Sequence, residues 1–340
     1  MNTTAYNYSP HAMESLTTWA RWLERNRMPK AAETTRELLK ALKDSVKFML
    51  PKGGKLFDSH LPTPGEMELF KLPYPVVAAE FPAQRTESDD IQSTYNSNIC
   101  SKRIALALDI DARGQSDYCQ FQDFPSGYTG ATLIWPIDFH DNIQAWRPSW
   151  CGILEFRGYP LEKPGAWQKQ ALMEEKREMN NPFLRLSPFV LQRDLFLLGE
   201  IGENQVKFLE SQNMSVHYSG IGDTQAESTA IRQMCSVLNC SNIRAQSLAA
   251  PRNLNKKREK KGKSPFFEYK VLEVDGTPGG LKSPHGGGSH ASPRVHIRRG
   301  HIRHLPTHNV WVQACVVGDK KNGVIHKDYR VCTLPSLNAP

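Results

Sequence analysis

The stretch RIALALDI, residues 103–110, holds five apolar residues in a row, Ile104 to Leu108, and runs straight into Asp111-Ala112-Arg113-Gly114. A run this short, closed by turn formers, reads as a buried strand rather than a helix. Three neighbours read the same way: YPVVAAEF (74–81), ATLIWPIDF (131–139) and SWCGILEF (149–156), each bounded by Pro, Gly or Asn. Together they predict a central mixed sheet with helices laid on it, and hence an α+β fold.

Outward from the sheet, helical spacing returns. MESLTTWARWLERN (13–26) places Leu16, Trp19, Ala20 and Leu23 on one face, and TTRELLKALKDSVKFML (34–50) does so with Leu38, Leu39, Leu42, Val46 and Met49. The two form an N-terminal helical hairpin about Met28-Pro29, stopped by PKGGK at 51–55. NPFLRLSPFVLQRDLFLLGEIG (181–202) and TQAESTAIRQMCSVLNC (224–240) also read as helical, the second opening with Thr224 as N-cap and Glu227 as its capping-box partner. The resulting division is a hairpin at 1–52, a central α+β region at 65–250 and a basic β module at 251–340, compatible with one compact domain.

The chain has 340 residues, 39% of them hydrophobic, enough to bury a substantial core. It contains no apolar run of about 18 residues and no apolar stretch near its start, so neither membrane insertion nor a secretory leader is expected. Seven scattered cysteines without a CxxC pair point away from a disulfide framework or structural zinc and toward a reducing cytoplasm. No cofactor and no metal is expected.

The formal charge is +8, unevenly spread. Between Arg252 and His304 thirteen Lys or Arg face four acids, and seven of the eleven histidines lie between 285 and 326. A local surplus of this kind implies an anionic partner. It begins in NLNKKREKKGKSPFFEYKVLEV, with Lys256, Lys257 and Arg258, continues past a Gly/Ser-rich loop at 275–292 that includes His285 and His290, and ends in a C-terminal antiparallel module with strands near 293–304, 310–317 and 323–331. The first of these, SPRVHIRRGHIRH, alternates consistently only if a β-bulge at Arg299-Gly300 restores phase. Val295, Ile297 and Ile302 then share the inner face. His296, Arg298, His301 and Arg303 share the outer one, with Gly300 structural and Arg299 adjoining. Trp311 in the next strand either stacks on a ligand beside this row or belongs to the core. Two further chemistries remain open: His296 and His301 as an acid–base pair, and Asp109 with Asp111, two apart at a strand end, as a cation site joined by Glu80 and Glu155. Either would make the protein a nuclease.

The segment SPRVHIRRGHIRHLPTHNVWVQACVVG (292–318) resembles the C-terminal signature of the type V-A anti-CRISPR family, whose members lower the amount of a CRISPR effector nuclease. The resemblance rests on His296, Ile297, Arg298, Arg299, Gly300 and His301, then Trp311. Ile302 stands where the family has Trp, and the loop after His304 is shorter. The resemblance implies a phage or mobile-element protein in the bacterial host cytoplasm. It further implies recognition of a target's messenger RNA, of a ribosome-associated nascent peptide or of a bacterial target protein, followed by loss of that target's expression.

Overall fold

In the computed structural model the described residues are 5–57, 70–83, 100–121, 124, 128–157, 193–274, 294–298, 301–312, 315–317 and 319–324. The chain opens with helices α1 (Tyr8–Arg25) and α2 (Pro29–Asp44), then strand β1 (Val46–Met49) and a 3-10 turn at Lys52–Gly54. Strands β2 (Val76–Pro82), β3 (Cys100–Ile110), β4 (Gly130–His140), β5 (Ala145–Pro148), β6 (Cys151–Arg157) and β7 (Arg193–Leu197) follow. Helices α3 (Gly199–Ser211) and α4 (Val216–Leu238) lead to β8 (Ile243–Leu248), α5 (Arg252–Glu259) and β9 (Tyr269–Val274). The last strands are β10 (Arg294–Arg298), β11 (His301–His304), β12 (Asn309–Val312), β13 (Cys315–Val317) and β14 (Asp319–Val324).

The expected α+β class and mixed sheet are present. One nine-stranded sheet runs β7-β6-β4-β3-β2-β1-β9-β8, with β5 paired to β4. β1 is parallel to β2 and β9, and the other pairs are antiparallel. β3, at its centre, explains the sequence that predicted it. Ile104, Leu106, Leu108 and Ile110 point toward α1 and α2, whereas Ala105 and Ala107 point toward α4. Both faces are covered, so the strand is apolar throughout, and the small residues let α4 seat closely through Ala230, Ile231 and Met234. The hairpin closes the other face with Leu16, Leu23, Leu38 and Leu42, each worth about 2 kcal/mol on burial.

Each end of the hairpin is satisfied by a side chain from outside it. Glu80 on β2, fully buried, accepts the Tyr8 and Ser9 backbone N–H groups at 2.8 Å, the Ser9 hydroxyl and the Tyr269 hydroxyl, and so caps the start of α1. Glu200, in the first turn of α3, accepts the Lys30 and Ala31 N–H groups at the start of α2. That approach requires Gly199, whose φ is 45° and where a Cβ would sit 2.3 Å from the Ala31 nitrogen. Lys47 donates its buried ammonium to the Leu42, Lys43 and Ser45 carbonyls at the end of α2. Acid at the start and base at the end also match the helix dipoles.

Three local expectations change. The helix predicted through Met49 ends at Asp44: Ser45 turns extended (φ −64°, ψ 147°) and Val46–Met49 form β1, between β2 and β9. Residues 193–197, expected helical, are β7 on the edge beside β6, because Cys151–Glu155 offer them a ladder. Thr224 is no N-cap: α4 starts at Val216, and Thr224 Oγ1 bonds back to Gly220 O at 2.9 Å inside it. Its predicted capping partner Glu227 instead faces the sheet and accepts from Arg103 at 3.0 Å.

At the C-terminal end, β11 and β12 form the expected antiparallel hairpin about 305–308, with Leu305 N–H donating to His308 O. β10 pairs antiparallel with β13 but parallel with β14, and β14 occupies residues 319–324 where a turn and the start of a third antiparallel strand were expected. The Gly/Ser-rich loop with His285 and His290, the proposed bulge at Arg299-Gly300 and residues 325–340 lie outside the described residues.

Candidate nucleic-acid interface

An open groove of about 720 Å³ runs between α1 and the β4–β5 hairpin. The hairpin turns at Asp141–Gln144, with Gln144 left-handed (φ 49°) and its amide donating to Asp141 O at 2.7 Å. This turn sets Phe139 opposite Trp146, with ring centroids 5.5 Å apart. Trp146 is buried and forms the floor; Tyr8, the first residue of α1, lies 5.5 Å from it, and Tyr6 stacks on Tyr8 at 5.2 Å and 18°. Because Glu80 holds the Tyr8 backbone, the aromatic wall is fixed by the same contact that starts the helix.

Cations line the same groove. Lys102 Nζ lies 4.4 Å above the Phe139 ring, and the Arg147 guanidinium lies 4.2 Å above Trp19. Trp19 in turn stacks on Trp22 at 4.6 Å and 7°, and Trp22 is 45% exposed. Burial, then the charges of Tyr6 and Glu80, push the Tyr8 hydroxyl up to about 12, so it stays neutral. His11 is held below its ordinary value by burial, then by Arg258, with Lys102 and Lys263 adding to the effect against Glu14.

The pairing of Arg258 with Glu14, a residue of the groove wall, places the basic run at the rim. Residues 252–259 form α5, and Arg258 anchors it: its guanidinium pairs with Glu14 at 2.8 Å, donates to Ser264 O and lies 4.3 Å above Phe266. Asn255 clamps the Phe266 backbone through both its amide atoms, and Phe266 meets His11 at 6.2 Å. Lys256 and Lys257 are exposed, as are Lys260, Lys261 and Lys263 beyond them.

The second predicted surface lies elsewhere. Ile302 faces inward and sits opposite Trp311, as the alternation predicted, and Arg303 is exposed. Trp311 is only 6% exposed: it packs near Phe57 at 5.6 Å, while Asn242 brackets its backbone with two 2.8 Å hydrogen bonds. It is therefore a core residue, which removes it from the ligand-stacking role. His296 pairs with Val317, Arg298 with Cys315 and His301 with Val312 along the backbone, while Arg299 and Gly300 lie outside the described residues. β11 and β12 rest on the α4 face of the main sheet and the groove on the α1 face, so the structure keeps the two basic surfaces apart.

The acidic candidates are occupied by partners. Asp109 pairs with Arg157, which also donates to Thr132. Asp111 lies beyond the end of β3 in a turn, accepting from the Arg113 and Gln115 backbone and from the Arg113 guanidinium. Glu155 accepts from Ser228 on α4, and Glu80 caps α1. The pair at 109 and 111 thus does not share a strand face, and among the described residues no group of His, Cys, Asp and Glu is arranged to hold a metal.

Sequence reasoning missed Tyr6, Tyr8, His11, Lys102, Phe139 and Arg147. The local signals were the two tyrosines of YNY at 6–8 and the aromatic–basic pair of AWR at 145–147, both outside the charged segment. No protein-family model, no curated protein and no solved structure matches this chain.

Proposed function

We propose that the protein is a non-enzymatic recognition protein that binds RNA through the basic surface centred on α5 and thereby lowers the expression of a target. The observation that carries this reading is the position of Lys256, Lys257, Lys260, Lys261 and Lys263: exposed, on or just after one helix, and anchored by Arg258 beside an aromatic groove. Cations supply affinity for phosphates, and neighbouring rings supply contacts to bases. The resemblance of the 292–318 segment adds the biological setting: an inhibitor of phage or mobile-element origin, acting in a bacterial cytoplasm on a target's message. Arg303 on β11 offers a second cationic contact.

The test is binding of a labelled RNA across a salt series. The affinity is expected to fall steeply with salt, and Lys256→Ala with Lys257→Ala should reduce the slope of log affinity against log salt by about 1.4, or ~0.7 per phosphate lost. Unchanged binding in that double variant overturns the reading, and so does cleavage of the RNA by the purified protein.

A further inference from the structure

We propose that the groove between α1 and the β4–β5 hairpin, continued along α1 by the exposed Trp22, is a binding site for single-stranded RNA, with unpaired bases laid on Tyr6, Tyr8 and Trp22 and the phosphates held by Lys102 and Arg147. This rests on the reading that the neighbouring α5 surface binds RNA, and names the form of RNA and the residues that recognise it.

Three observations converge on it. First, the rings form a strip. Tyr6 and Tyr8 stack at one end of α1, Phe139 lies beside them above the Trp146 floor, and the Trp19–Trp22 pair lies some three to four turns along the same helix. An 18-residue helix spans about 27 Å, so the strip is long enough for several nucleotides rather than one. Second, two cations are already seated on those rings, Lys102 on Phe139 and Arg147 on Trp19, which places positive charge between the stacking surfaces. Third, the acid lining the groove, Glu14, is paired with Arg258, so the cations there face no unpaired carboxylate of the groove. Tyr8, kept neutral, adds no negative charge.

The geometry selects unpaired bases. In a duplex the faces of the bases are covered by their neighbours, and a side chain reaches only edges, sugars and phosphates. Half-buried rings in a cleft are useful only to a strand whose bases turn outward. An acidic peptide would match the charge but brings no planar face to Tyr6 and Tyr8.

Tryptophan fluorescence and anisotropy with an oligouridylate, a fully paired RNA hairpin and a polyglutamate peptide test this. The oligouridylate should quench tryptophan emission and bind more tightly than the hairpin. Tyr6→Leu with Tyr8→Leu should weaken the oligouridylate about tenfold while leaving the salt slope and hairpin affinity unchanged. Trp22→Ala, at an exposed position that does not threaten folding, should weaken it severalfold. Lys256→Ala with Lys257→Ala should weaken both RNAs. Wild-type oligouridylate affinity in both the Trp22 variant and a folded tyrosine variant overturns the groove, as does hairpin binding as tight as the single strand or displacement of the oligouridylate by polyglutamate. Those results leave the α5 reading standing. Conversely, loss of binding in the groove variants with no effect of the lysine pair removes α5 and keeps the groove. If the tyrosine variant unfolds, the Trp22 variant decides.

Discussion

Lys47 shows how much one side chain can carry. It lies on a strand inside the sheet, 2% exposed, with its ammonium donating to three carbonyls at the end of α2 and 3.8 Å above the Phe267 ring. Methionine would keep the volume and the apolar stem but leave those carbonyls without their charged donor. Lys47→Met is therefore expected to lower stability by about 2 kcal/mol, read as a fall in the denaturant midpoint at unchanged slope. The strand that carries it was disguised by its neighbours. Val46 and Met49 continue the spacing of Leu38, Leu39 and Leu42, so the helical pattern ran on through β1. The turn at Ser45 is fixed by β2, β9 and the Lys47 contacts, which periodicity cannot show.

Among the elements, α4 is the one whose partners the sequence hid. Its apolar stripe, Ile231, Met234 and Cys235, was legible, but the same helix presses Glu227 against Arg103 on β3, whose cross-strand neighbour is Asp138 on β4. Burial, then the charge of Glu227, pushes the Asp138 carboxyl from its ordinary 3.8 up to about 7, against the pull of Arg103 and with a further push from Asp223. Its folded value lies above its unfolded one, so the stability that its protonation contributes is complete below about pH 4 and is lost as pH rises toward 7. Thermal unfolding measured at several pH values should show this loss, and Asp138→Asn should flatten the curve across that window. An equal pH dependence in the variant would mean that Asp138 does not report the strain of this cluster. β2, β3, β4 and β6 were readable because they are short apolar runs closed by turn residues; β7 was not, because Leu195, Phe196 and Leu197 join the apolar positions of α3 into one apparent helix.

At the scale of the whole molecule, the sheet is a shared wall with the hairpin on one side and α4 on the other. Its strands come from 46–49, 76–157, 193–197 and 243–274. The groove was illegible for the same reason: its walls come from α1 with the residues just before it and from β3, β4 and β5, and α5 reaches its rim through the Arg258–Glu14 pair. A chain beginning at Val46 would expose the face formed by Ile104, Leu106, Leu133 and Trp135, and should bind a hydrophobic dye and unfold without a cooperative transition.

The remote caps of the hairpin also set an order of events in time. α1 and α2 leave the ribosome ahead of the carboxylates that start them: Glu80 and Glu200 arrive 72 and 170 residues later. Most of the stability of a helix in a protein comes from tertiary packing rather than from its own propensity. The hairpin is thus made before the groups that fix it, and Tyr8, held by Glu80, acquires its place in the groove only once the sheet exists to hold it.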